Sequence, residues 1–244
     1  MAMERQEPAG TGPDARQSAE PEARRGLLFL MSVNARGRAY GLKVGDVLTR
    51  IDGKPFDGRL TSLSARMKGP DAGRVALWFR RDGERRSDRQ DWPVIVETAA
   101  LGQWKSVALP EGETVEAEPT FGLKNWDVFI DKAGRYDAQR SEARLTALLV
   151  PIYLVQMRLW GPLALWGALA AVAVPFGWIV GGALHVVIAL YFWQAAPALV
   201  RMDRMARGFR YWRIIAARNE RALHNLVAEM APQLQFIHAR AGVS

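Results

Sequence analysis

The sequence predicts an α+β protein: a small β-barrel domain, then a transmembrane helical hairpin, then a basic C-terminal helix. Three observations carry this. Residues 26–98 hold short alternating apolar runs separated by turn residues. Leu145–Val200 is a run of 56 residues in which Arg158 is the one formally charged side chain. Arginine then recurs at 201, 204, 207, 210 and 213.

The charge is unevenly spread. Residues 1–144 carry 24 basic and 22 acidic side chains; residues 145–244 carry 9 and 3. That partition excludes a wholly water-exposed globule. The absence of cysteine excludes disulfide scaffolds, thiolate metal sites and cysteine nucleophiles. Residues 1–25 are polar with no apolar core and read as a disordered tail rather than a secretory signal. They are expected to stay in the cytoplasm.

In residues 26–98, Leu28 and Leu30 alternate, as do Val47, Leu48 and Ile51, and then Val75, Leu77 and Phe79. Such alternation marks half-buried strands. Asp52-Gly53 and Asp82-Gly83 are tight-turn signals between them, and Thr61–Met67 is a short helix candidate. Residues 99–140 read as a linker followed by an extra hairpin or a segment lying on the membrane. Phe121–Ile130 has strand-like spacing, and Asp131–Gly134 reads as a turn.

A bilayer crossing takes about 20 helical residues, because roughly 30 Å of hydrocarbon is covered at about 1.5 Å per residue. The apolar run is therefore sized for two crossings, near 157–175 and 178–199, turning at Pro175-Phe176-Gly177. Residues 141–156 read as an interfacial helix leading in. Trp160 and Trp193 are expected at one interface and Trp178 at the other. The arginines after the second span mark the cytoplasmic side, so both termini are expected there.

Within the spans, Trp166, Gly181 and His185 are the candidate contacts to a membrane partner. Small residues allow close helix approach. An intramembrane histidine needs a partner, which is either a hydrogen bond across helices or a bound group. The tail 200–244 reads as a basic helix. Arg201, Arg204, Arg207, Arg210 and Arg213 are its candidate contacts to anionic lipid headgroups. Nucleic acid is a poor partner for charge that sits against a membrane.

The stretch from Ala39 to Phe56, AYGLKVGDVLTRIDGKPF, resembles the central signature of bacterial PDZ domains, in the short form found in type II secretion proteins. Val75–Glu84 resembles the penultimate strand and turn of that family. The resemblance covers residues 26–98 and implies a peptide-binding groove. A backbone loop at Gly26, Leu27 and Leu28 would hold a peptide carboxylate, with the peptide adding beside Leu28, Phe29 and Leu30. Leu63 and Met67 would line the helix side. The sequence departs from the family in lacking an apolar strand before that loop.

No H-E-x-x-H pair, G-x-S-x-G elbow or Walker loop occurs. The expected function is thus a non-enzymatic, membrane-anchored adaptor without a cofactor, an accessory or assembly subunit of a larger complex in a bacterial inner membrane. The alternatives are a free-standing, membrane-tethered scaffold for peptide C-termini, and a cofactor- or pigment-binding subunit that uses His185.

Overall fold

The computed structural model describes residues 26–69, 73–81, 91–108, 115–142 and 145–238. The polar tail 1–25 and the Asp82-Gly83 turn lie outside them. Two sheets, several short helices and an apolar helical segment ending in one long helix make up the described residues.

The first sheet contains β1 (Gly26–Val33), β2 (Asp46–Ile51), β3 (Lys54–Pro55), β4 (Val75–Arg81), β5 (Trp92–Val96) and β6 (Gly102–Ala108). Its order is β5-β4-β2-β1-β6, with β3 paired to β2. This is an open sheet, not the closed barrel that the sequence suggests. The spatial ends of the path, β5 and β6, are not paired with each other. The alternating leucines fall where expected: Leu28, Leu30, Leu48 and Leu77 are fully buried. Each contributes about 1.5–3 kcal/mol by leaving water.

Two helices serve this sheet. Helix α1 (Ala35–Ala39) starts at Asn34, whose side chain accepts from the Gly37 amide. The Asn34 amide nitrogen also donates to the Ala100 carbonyl, which ties the turn before β6 to the end of β1. Helix α2 (Leu60–Lys68) buries Leu63. The Asp52-Gly53 turn has both residues at positive φ, 48° and 75°. That is the conformation a two-residue hairpin requires.

The second sheet is assembled from both sides of the apolar run. Strands β7 (Lys124–Ile130) and β8 (Arg135–Arg140) precede it, and β9 (Arg210–Ala217) and β10 (Gln235–Phe236) follow it. The order is β10-β8-β7-β9. The basic helix expected over the tail is therefore corrected. A helix ends at Ala206, Gly208 turns the chain at φ 87°, and the eight residues Arg210–Ala217 form a strand. Among the described residues beyond that, only Glu220–Met230 is helical, and it packs Leu223 and Val227 into the core. We label it α6.

The two sheets share one core. It joins Leu28, Leu48, Phe79 and Trp92 to Trp126, Val128, Ile215 and Leu223. Polar bonds reinforce the seam. The Asn125 side chain accepts from the Ile95 amide at 2.9 Å and donates to the Ile95 carbonyl at 2.8 Å. The Ile214 amide donates to the Tyr40 carbonyl.

Between β8 and β9 the chain forms a short 3₁₀ turn (Leu145–Leu148), α3 (Val150–Gln156), α4 (Trp160–Ala173), a second 3₁₀ turn (Val174–Phe176) and α5 (Gly177–Ala206). The reversal falls at Pro175–Gly177 as expected, with Gly177 at φ 73°. Helices α4 and α5 pack side by side. Leu163 and Trp166 lie with Ile188, Ala189 and Trp193 around a small core of Tyr153, Leu154, Phe192 and Ala196. The run Trp160–Ala206 is long and apolar enough to cross a membrane. Only 6% of its most apolar 18-residue window is buried inside the protein, whereas a core helix of a water-soluble fold would be mostly buried.

Candidate functional site

The groove expected beside β1 is already filled. Strand β6 pairs antiparallel with β1 along its length, from Gly26 opposite Ala108 to Val33 opposite Gly102. Strand β2 takes the other edge of β1, with Leu28 opposite Leu48. Strand β6 thus engages Gly26, Leu27, Leu28, Phe29 and Leu30 on one side, and Leu28 and Phe29 are paired on both, which leaves no free edge there for a peptide, because β-strand addition needs unpaired backbone groups. Leu28 and Leu30 point into the core, Leu63 is buried, and Met67 packs against the same core. The correction has a physical cause. A chain segment tethered to the sheet is present at high effective concentration and outcompetes a free strand. Close approach shapes this edge. A Cβ on Gly102 would sit 1.8 Å from the Ser32 carbonyl oxygen, and one on Gly58 would sit 2.4 Å from the Gly26 backbone.

In the apolar helices, Gly181 is used internally. A Cβ there would come within 2.7 Å of the Ala173 carbonyl oxygen, so this glycine lets α5 close on α4. The His185 Nδ1 donates to the Gly181 carbonyl, one helical turn back, at 2.7 Å. Its ring thereby satisfies a donor within its own helix. Trp166 lies half-buried against α5. Gly181 and Trp166 belong to the contact surface of α4 with α5, while His185 bonds within its own helix.

The arginines after α5's apolar stretch fall into unlike places. Arg201 donates twice to Asp127 on β7, at 2.6 and 2.9 Å. Arg204 pairs with Asp137 on β8 at 2.5 Å and with Asp203 at 3.0 Å. Both β-strand carboxylates are almost fully buried, at 2% and 1% exposure. Arg207 pairs with Asp203 and donates to the Arg158 carbonyl. Arg210 is exposed at the start of β9. Arg213 lies buried, its guanidinium 4.2 Å from the ring centres of both Trp92 and Trp212. Burial and the neighbouring Arg81 depress its proton affinity, and the two aromatic faces hold the charge. Arg201, Arg204 and Arg213 are therefore structural ties rather than free contacts for headgroups. Arg207 and Arg210 keep exposure toward solvent.

Comparison with family models, with curated proteins and with solved structures finds no match.

The decisive residues that sequence reasoning missed are Asp127 and Asp137. Each looks like an ordinary strand-edge polar residue. Their meaning depends on arginines 74 and 67 positions away. The one available signal was their placement among branched and aromatic residues, where an unpaired carboxylate is costly. Among the described residues, no group of three or more His, Cys, Asp or Glu side chains is arranged to hold a metal ion.

Proposed function

We infer that the chain is a non-enzymatic membrane adaptor, an accessory or assembly subunit whose helical hairpin docks in the bilayer of a bacterial inner membrane. A two-sheet head stands at its base. The observation that carries this reading is the pairing of Arg201 with Asp127 and Arg204 with Asp137. These bonds fix the orientation of the head on α5, while the helices leave Trp178, Ile179, Val186 and Val187 at 59–89% exposure. Apolar surface of that extent calls for lipid or another membrane protein.

The pairing of β7 with β9 supports an even number of crossings between them, since both strands must lie on one side of the bilayer. Helix α4 has 14 residues and reaches about 21 Å, less than the roughly 30 Å hydrocarbon core. Residues of the adjoining turns complete the depth. The PDZ-like reading of residues 26–98 enters as a rigid docking surface, since β6 fills its groove.

Purification from membranes in mild detergent, with identification of what accompanies the protein, tests this. Stoichiometric recovery with one large membrane complex is the expected result. Recovery alone would instead favour a free-standing anchor.

A further inference from the structure

We propose that the cavity between the two sheets at the base of α5 is a binding site for the zwitterionic headgroup of a phosphatidylethanolamine lipid. The proposal rests on the membrane placement of α4 and α5. The cavity has a volume of about 550 Å³, room enough for a glycerophosphoethanolamine unit. Arg201 on its wall directly follows Val200, the last residue of α5 buried in the core shared by the apolar helices. Glu142, also on the wall, lies three residues before the 3₁₀ turn at Leu145–Leu148 that opens the apolar segment. The cavity thus opens at the level where lipid phosphates lie.

Its charges are balanced, and Arg74 is held in ion pairs with Glu97 and Glu142 that a zwitterionic headgroup would exchange for its own phosphate and ammonium. Arg36 comes from α1, Arg74 from the residue before β4, Glu97 from the end of β5 and Glu142 from the end of β8. Arg201 is neutralised by Asp127. The remaining lining therefore offers two guanidinium groups and two carboxylates. Arg74 sits between the carboxylates, paired with Glu97 at 3.4 Å and with Glu142. A phosphodiester with a primary ammonium complements this set: the phosphate takes the guanidinium forks and the ammonium donates to the carboxylates. A glycerol headgroup brings a net negative charge with no cation for the glutamates. A choline headgroup has no N–H donor for them, and the wall has Tyr40 alone to offer an aromatic face.

The test is native mass spectrometry of the full chain extracted in mild detergent, followed by competition in nanodiscs of phosphatidylethanolamine, phosphatidylcholine or phosphatidylglycerol. One retained phosphatidylethanolamine is expected, preferred over the other two. The Glu97→Gln/Glu142→Gln variant should lose that preference by about tenfold, the weight of one charge-assisted hydrogen bond. Arg36→Glu, a surface change on α1, should weaken retention of every phospholipid. Equal retention of the three lipids, or variants that behave as wild type, would overturn the site. A protein released from membranes by alkaline carbonate without detergent would overturn the membrane placement itself. One that stays embedded without a lipid preference would overturn only the headgroup site.

Discussion

Arg201, the first charged residue after α5's apolar stretch, grips the carboxylate of Asp127 from two nitrogens, at 2.6 and 2.9 Å. The carboxylate is inside the second sheet and the guanidinium is on α5. Sheet and helix are therefore joined by a partly buried ion pair, which costs more to break than to replace.

Arg201→Ala should lower the stability of the head by about 2–3 kcal/mol, below the figure for a wholly buried pair because Arg201 is one-third exposed. Asp127→Leu combined with Arg201→Met should recover most of that loss, since both charges go together. Thermal unfolding of the four species in detergent gives the coupling. Additive losses would show that the pair does not join helix to sheet.

Gly102→Ala should loosen β6. The added Cβ would meet the Ser32 carbonyl at 1.8 Å, so one strand must move, at about 1–3 kcal/mol. Amide hydrogen exchange at Leu27 and Phe29 should quicken, because their partners on β6 are displaced. Unchanged exchange would mean that β6 does not guard this edge.

Alkaline pH should weaken the fold through Tyr211. Burial raises its phenol above the ordinary value of 10.0, and its hydroxyl donates to the Ala39 carbonyl. The folded state keeps this proton where the unfolded state loses it. Stability from this group is therefore complete below pH 10 and falls as pH climbs above it. Comparing wild type with Tyr211→Phe between pH 8 and 11.5 isolates the effect, because the opposite contribution of Arg213 is common to both. The wild type should show the steeper alkaline fall, and parallel curves would refute the assignment.

The cysteine-free sequence offers a clean background for topology. Trp178→Cys places a thiol at the tip of the hairpin, on a residue 89% exposed. Lys132→Cys places one on the head, in the β7–β8 turn. A membrane-impermeant maleimide should reach the first from outside the cell and the second only after lysis. Labelling of both from the same side would replace the double crossing with a re-entrant hairpin.

Much of this architecture was legible in the residues. The leucine alternation of β1, the Asp52-Gly53 turn, the apolar run and its reversal at Pro175–Gly177 all follow from local chemistry. The strand β9 did not. Its residues from Arg213 to Ala217 are buried on both faces, which erases the period of two, and the three-residue arginine spacing imitates a helix running on from α5. Strand β6 was obscured for another reason. Gln103, Lys105 and Ser106 give it an unremarkable polar pattern, and only its long-range pairing with β1 makes it a strand. The ties at Asp127 and Asp137 were invisible because local sequence holds no record of a partner so far along the chain.

The second sheet takes two strands from before the hairpin and two from after it. On a ribosome, β7 and β8 emerge long before β9. Their unfinished edge must wait until residues 141–209, which include the apolar helices, have been made. Closure of the sheet can therefore report on insertion: a chain whose hairpin entered with a single crossing would strand β9 on the far side and leave β7 unpaired. Such a product keeps Asp127 and Asp137 without their arginines and an exposed strand edge, both marks by which quality-control proteases select substrates. On the proposed membrane placement, the sheet would act as a checkpoint on topogenesis, built from the flanks of the apolar segment.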